Sequence, residues 1–268
     1  MKNILWIIIF LSLGSLSFAA FEEKPISPRI TGMGETFSAI EGGIDGIFYS
    51  PAIFEAKEEK NEVFTSKTEL FGISELKQNL FAYGRTFFLN NRLGFGIQRF
   101  GNDIYYEEVK LLNLFRRFMD NLDIGINVKE MNLKIESLDK YSAIGIDGGF
   151  QVKLNEDFRI GSMARNFNRP RIMDNLPVIY RIGISCSIFE GIIFAFDWEK
   201  EENFEDNFHL GQEICLNSFL FLRSGYETQP SRAAGGLGIK IKPVQIDYSI
   251  FSHPVLGNTQ IFSLIMGW

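Results

Sequence analysis

From about Glu62 to the last residue the chain repeats one pattern. Segments of roughly 8–12 residues alternate apolar and polar side chains and are separated by turn-forming residues. Between residues 191 and 200, Ile192, Phe194, Phe196 and Trp198 share one face, and Ile193, Ala195, Asp197 and Glu199 share the other. Between 177 and 187, Val178, Tyr180, Ile182, Ile184 and Cys186 oppose Ile179, Arg181, Gly183, Ser185 and Ser187. Leu122, Ile124, Ile126 and Val128 oppose Asp123, Gly125, Asn127 and Lys129. Val244, Ile246, Tyr248 and Ile250 oppose Gln245, Asp247 and Ser249. A period of two with one oily face is that of a β-strand. The pattern predicts about fourteen strands, starting near Glu62, Lys77, Arg92, Tyr105, Leu122, Ser142, Phe158, Pro177, Gly191, Asp206, Phe219, Arg232, Val244 and Thr259. The facing of those from Lys77 and Tyr105 stays open.

The connections carry further information. Every second one is tight, around Asn90, Asp120, Asn155, Glu190, Asn217 and Lys242. Most of the intervening ones, from Glu136, Asn166, Glu201, Thr228 and Ser252, read as longer. Tight turns at one end and longer loops at the other are the pattern of a transmembrane β-barrel, and an even strand count puts both barrel termini at the short-turn end. A soluble β-sandwich also alternates. The barrel is favoured because the polar faces carry Asp, Lys, Arg and Gly while the oily faces carry Phe, Ile, Leu, Tyr and Trp. The chain also ends on an amphipathic strand, with Phe262, Leu264, Met266 and Trp268 on one parity. A closed barrel pairs its last strand with its first and so leaves no edge. In bacterial outer-membrane proteins such a strand, ending on an aromatic, also serves as an assembly signal, which makes the barrel-assembly machinery and outer-membrane lipid the expected partners.

The predicted organisation is therefore all-β: a signal peptide over 1–19, an N-terminal luminal hatch over 20–61, and an antiparallel transmembrane barrel of about fourteen strands over 62–268. The leader reads as Lys2 followed by an apolar stretch and then Ser17-Phe18-Ala19, with cleavage expected after Ala19. Residues from Ala20 to about Asn61 do not alternate. Ser27-Pro28 suits the start of a short helix. Phe37, Ile40, Ile44, Ile47 and Phe48 supply apolar contacts, and Pro51 is expected at a tight corner near the first strand. Eight strands can fill a barrel with their own side chains, whereas 16–18 leave a channel. A barrel of intermediate size needs inserted chain to block it.

Net charge is −6, which argues against a nucleic-acid partner. Candidate chemistry is sparse. His209 and His253 are the only histidines, and His209 and Glu213 are about 13 Å apart along a strand, too far for a shared metal. No nucleophile–histidine–acid grouping stands out, so neither an enzyme nor a cofactor is expected. Cys186 and Cys215 fall on opposite faces, which disfavours a disulfide between them. The inward charges include Asp147, Arg181, Asp197, His209, Glu213, Arg223 and Asp247. They read either as a polar translocation path or, with mixed and nearly balanced signs, as a structural network between barrel and hatch, the second being favoured. Arg181, Arg223 and Asp247 are expected to hold the hatch.

The stretch "GMGETFSAIEGGIDGIFYSPA", with Gly32, Met33, Gly34 and the corner Ser50-Pro51-Ala52, resembles the N-terminal signature of FadL-like outer-membrane barrels, especially the PorV/PorQ branch. Ser50 stands where those proteins usually have Asn. "HLGQEI", "LRSGYE", "GGLGIKI", "VQIDYSIF" and "LGNTQIFSLIMGW" follow the order of that branch. The resemblance implies a fourteen-stranded barrel with a hatch and, for function, transport of hydrophobic small molecules. The alternatives it leaves open are a PorV-like role in escorting secreted protein cargo to the cell surface, and a purely structural barrel.

Overall fold

A computed structural model of the chain describes residues 20–53, 60–87, 91–202 and 204–268. The expected signal peptide, the turn at Asn90 and residues 54–59 of the expected hatch lie outside these residues. The strands are β1 (Asn61–Glu69), β2 (Lys77–Phe87), β3 (Asn91–Gly101), β4 (Tyr105–Met119), β5 (Leu122–Ile135), β6 (Tyr141–Lys153), β7 (Phe158–Arg165) and two short ones, β8 (Arg171–Ile172) and β9 (Asp174–Asn175). They continue with β10 (Ile179–Phe189), β11 (Ile192–Glu201), β12 (Asn207–Asn217), β13 (Leu220–Thr228), β14 (Ser231–Ile241), β15 (Val244–His253) and β16 (Gly257–Gly267). Among the described residues, fourteen of these close into one antiparallel barrel, and β8 and β9 form a separate hairpin. Before the barrel stand a short helix, α1 (Pro28–Gly32), and a 3₁₀ turn at Ile44–Phe48.

Closure joins β1 to β16 over Glu62↔Gly267 to Glu69↔Gln260. Trp268 donates its N–H to the Asn61 carbonyl and accepts from the Asn61 N–H, each at 3.0 Å. Side-chain alternation sorts the wall into two faces. On β5, Asp123, Gly125, Asn127, Lys129 and Met131 are buried inward, while Ile124, Ile126 and Val128 are exposed outward. The outward face is an apolar belt, with Phe150, Ile182, Leu210, Ile246 and Phe262 all more than two-fifths exposed. Such a belt around a closed sheet matches the hydrocarbon of a bilayer. No helix among the described residues is long and apolar enough to cross a membrane. On β16 the parity break is explained. Ile261 and Ile265 point inward and are buried, and Ile265 joins the internal apolar cluster. Phe262, Leu264, Met266 and Trp268 are exposed outward.

The connections at the end opposite Asn61 and Trp268, called here the outer end, are shorter than expected. Residues 102–104, 229–230 and 254–256 are tight turns, because the flanking strands extend further than the sequence pattern suggests. The long connection there is 166–178, which carries the β8–β9 hairpin. It is also where the wall changes. β7 pairs with β6 only from Gly148↔Ala164 to Lys153↔Arg159, so β6 residues 141–147 have no ladder partner on that side.

Candidate functional site

The chain from Ala20 to Ile53 runs through the lumen. Its outer part is tied at the outer end, where Lys24 pairs with Glu107 of β4 at 2.7 Å and the Pro25 carbonyl accepts from Gln78 of β2. Further along it meets the middle and far parts of the wall. Gln151 of β6 donates to Ile40 O, Ser185 of β10 to Ala39 O, Asn127 of β5 to Ile47 O, and Asn113 of β4 to Pro51 O. Phe37, Ile40, Ile44, Ile47, Phe48 and Ile53 form a buried cluster with Phe64, Leu80, Leu111, Met163 and Ile265 from the wall. Tyr49 closes the segment on itself, its hydroxyl accepting from Ile26 N and Ser27 N at 2.8 and 3.0 Å.

The wall makes room for this backbone with inward glycines. A Cβ built on Gly161 would lie 1.7 Å from Ser38 O, one on Gly125 1.9 Å from Pro51 O, and one on Gly225 2.0 Å from Gly34 N. Side chains there and the segment exclude each other. Gly34 has φ +67, and its own Cβ would meet Tyr226 N at 2.5 Å, so that position needs glycine twice over. Gly32 lies against Gly236 of β14.

The predicted inward charges separate into three groups. Arg181, 1% exposed, donates to Glu35 O at 2.6 Å, pairs with Glu199 and Glu23, and stacks over Phe37 with its guanidinium carbon 4.3 Å from the ring centre. Beside it Asp197, fully buried, accepts from Phe37 N, Ser38 N and Ser38 Oγ at 3.0, 3.0 and 2.8 Å. In the second group Glu213 accepts from Arg29 of α1 through two nitrogens and from Arg223, which also donates to Asp247 at 2.6 Å. In the third, Asp147 accepts from Lys129 at 2.8 Å and from Asn166 N at 2.9 Å. His209 is outside these groups, its Nδ1 donating to Gly34 O at 2.9 Å with Glu227 Oε2 at 3.7 Å.

Several expectations need correcting. Among the described residues the Arg223 guanidinium and Asp247 join the luminal segment through Glu213 and Arg29, while the Arg223 stem lies against Gly32. Pro51 lies against β4 and β5, not near β1, since its carbonyl is taken by Asn113 and fits over Gly125. Ser27 precedes α1, but its hydroxyl donates to Asp45, leaving the helix without a side-chain cap. Ser50 Oγ accepts from Ala52 N at 3.4 Å, a long version of the corner bond. Among the described residues no group of His, Cys, Asp or Glu could hold a metal, and both cysteines are free.

Above the segment, at the outer end, is a chamber of about 480 Å³ that alternation alone did not reveal. One side is apolar, with Phe100, Val109, Leu111 and Met131 of β3–β5 and Ile172 and Leu176 of the 166–178 connection. The other is polar, with Arg181, Glu199, Glu201, His209, Glu227 and Arg232 of β10–β14. Glu35, Phe48 and Tyr49 contribute to its floor. Burial pushes the Glu35 carboxyl above its usual range, against the hydrogen bond from Thr31. The sequence did carry a signal. The inward positions of β5 run Asp123, Gly125, Asn127, Lys129 and then turn apolar at Met131 and Leu133.

Beside the apolar side, the unpaired edge of β6 is stopped by one side chain and its neighbours. Asn168 accepts from Ile146 N and donates to Ile144 O at 2.8 and 2.7 Å, while Phe167 N donates to Ile146 O at 3.1 Å. Asn166 anchors this stopper from within, its side-chain oxygen taking Lys129 Nζ at 2.9 Å.

No family model matches the chain, and no curated protein does. Solved structures do. The toluene transporter TbuX of Ralstonia pickettii aligns with a TM-score of 0.65 at 12% identity, covering 93% of this chain and all of its own. The monoaromatic hydrocarbon channel CymD gives 0.71 at 14%, over 93% and 99%. The toluene transporter TodX of P. putida gives 0.65 at 12%, over 92% and 99%. The chain has the fold of these outer-membrane barrels. The structural neighbours are transporters and channels, not enzymes.

Proposed function

We propose that the barrel passes hydrophobic small molecules across the outer membrane, with residues 20–53 acting as a hatch. One observation carries this reading: a chamber with an apolar side opens at the outer end and is floored by the luminal segment. Molecules bound there face two ways onward. Downward they meet the apolar cluster around Phe37 and Ile44, and sideways they meet the stoppered break between β6 and β7. The sideways path leads into the bilayer, where a hydrophobic molecule is soluble. The fold shared with toluene transporters supports the reading without naming the substrate.

The PorV-like alternative, with secreted protein as cargo, rests on the sequence resemblance. The tight turns at 102–104, 229–230 and 254–256 present little surface for a folded partner, which favours small molecules. Vesicles carrying the protein should take up a labelled aromatic hydrocarbon faster than empty vesicles, while conducting ions poorly. A variant lacking residues 20–55 should conduct ions far better in planar bilayers. Hydrocarbon uptake no faster than in empty vesicles would refute transport. Equal ion conductance with and without the segment would refute the hatch.

A further inference from the structure

On β12 and β13 the outward apolar belt is interrupted at mid-height. Gln212 lies five residues from either end of β12 (Asn207–Asn217), and Ser224 four residues from either end of β13 (Leu220–Thr228). The two are paired across the strands and share the outward parity of Leu210, Leu222 and Tyr226, all exposed. About 9–11 residues of strand span the hydrocarbon, so both side chains stand near the bilayer midplane. Neither makes a side-chain hydrogen bond among the described residues. A carboxamide has two N–H donors and an acceptor oxygen, more than one serine hydroxyl can satisfy. Polar groups left unmet in hydrocarbon are costly. Lipid cannot meet these, because its polar atoms begin about 15 Å from the midplane. A neighbouring protein chain can carry a partner to that depth.

The wall is also hollowed there. A groove of about 520 Å³ lies over β10–β13, with Cys186, Phe194, Gln212, Ser224 and Tyr226 in its lining. Phe196, mid-strand on β11, borders it and stacks on Phe208 with ring centres 6.1 Å apart. Bulky Phe196 therefore flanks Gln212 on the β11 side, and small Ser224 and Gly235 flank it on the other.

We propose that this patch is the contact between two copies of the chain, related by a twofold axis along the membrane normal beside Gln212. Such an axis brings the same residues together at the same depth. Each Gln212 carboxamide then donates to the other and accepts from it, because one group carries both functions. The axis also sets β11 of each copy opposite β13 of the other, so each Phe196 enters the hollow at Ser224 and Gly235 of its neighbour. A twofold contact requires this kind of self-complementary surface. Polar and small side chains likewise join transmembrane helices, where lipid removes the hydrophobic drive. The inference is independent of the passage reading.

The test uses the full chain in outer membranes and, purified, in lipid vesicles. In a Cys186→Ser, Cys215→Ser background, Gln212→Cys is compared with Phe95→Cys, which is exposed mid-strand on β3, across the barrel from β12. With copper–phenanthroline as oxidant, Gln212→Cys should form a disulfide-linked dimer far faster than Phe95→Cys. In vesicles, fluorescence transfer between labelled copies diluted in lipid reads the dimer directly. Gln212→Leu should weaken it about tenfold, the size of two interchain hydrogen bonds in a membrane. Heat-modifiable gel mobility shows that each variant has closed its barrel, and fluorescence transfer between unsubstituted copies keeps the test valid if the cysteine variant has not. Equal crosslinking at the two positions, or an unsubstituted chain that is monomeric at every dilution, would overturn the dimer. Crosslinking of the Gln212→Cys variant to a different outer-membrane protein, without the homodimer, would overturn the second copy as the occupant. A dimer that Gln212→Leu leaves equally strong would overturn the carboxamide pairing.

Discussion

Gly161→Ala should dislodge the luminal segment from the wall. The added Cβ would stand 1.7 Å from Ser38 O and 2.6 Å from Ser38 C. An ordinary C···O approach is about 3.3 Å or more, so the Ser38 carbonyl must retreat by roughly 1.5 Å. Ser38 cannot retreat alone. Its N–H and hydroxyl, with the Phe37 N–H, fill one oxygen of Asp197 at 2.8–3.0 Å. A shift of that size takes them out of hydrogen-bonding range. Overpacking costs about 1–3 kcal/mol. Hydrogen bonds to a buried charge add about 1.5–3 kcal/mol each where they are lost. Together the substitution should cost roughly 3–6 kcal/mol, enough to free the segment locally even if the barrel stays closed. The control is Gly148→Ala on the outward face of β6, where the nearest atom is Phe167 Cε1 at an ordinary 3.5 Å. The assay is single-molecule conductance in planar bilayers, with protease sensitivity of residues 20–53 as the second readout. Gly161→Ala should conduct more and be cut faster than Gly148→Ala. Identical behaviour of the two variants would refute the close approach.

Asp197→Ala should destabilise the segment by about 3–5 kcal/mol, because it orphans buried donors and part of the field around Arg181, while Asp197→Asn should cost less; proteolysis of the segment ranks the two, and the reverse order would refute the account. Asn166→Ala should loosen the 166–178 stopper, since Asn166 sits at φ +53 and bonds Lys129. Hydrogen exchange of the Ile146 amide, which donates to Asn168, should speed up, and unchanged exchange would show that the stopper is held elsewhere. Deleting Trp268 removes the backbone pair with Asn61 and an outward aromatic at the chain end. Outer-membrane levels should fall several-fold without loss of expression, and normal levels would make the aromatic incidental.

The wall was legible because a strand's period is fixed. Strand starts deduced from alternation lie within two residues of those observed, and the facing of Phe194, Ile182 and Asp247 follows at once. Which inward charge meets which partner was not legible. Arg223 was expected to hold the luminal segment, and its guanidinium is linked to it through Glu213 and Arg29; nothing in the spacing of a non-repetitive segment predicts where Arg29 falls. The inward glycines were visible as letters. Gly125, Gly161 and Gly225 recur on one parity, but glycine in a strand signals a close approach without saying by what. The chamber was hidden for another reason. Its apolar wall uses inward residues, Val109 and Met131, at positions where a wet lumen predicts polar ones.

These contacts also rank the two routes out of the chamber. To pass downward, a molecule must displace a segment whose backbone is held by Asp197, Ser185, Gln151, Asn127 and Asn113, on top of a buried apolar cluster. At about 1 kcal/mol net for each ordinary hydrogen bond, and more for those to Asp197, that is a barrier comparable with the whole stability of a small domain. The buried charges add to it, since moving the segment breaks the two-nitrogen contact of Arg29 with the buried Glu213. To pass sideways, only the stopper must yield, and its hold on the β6 edge is the Asn168 pair, the Phe167 N–H and Asn166, which bonds Asp147 and Lys129. Beyond it lies hydrocarbon, so an apolar body loses nothing on leaving. On the proposed passage reading, the mixed-sign lumen would act as a fastening more than a path, and the break between β6 and β7 borders the chamber that would supply it.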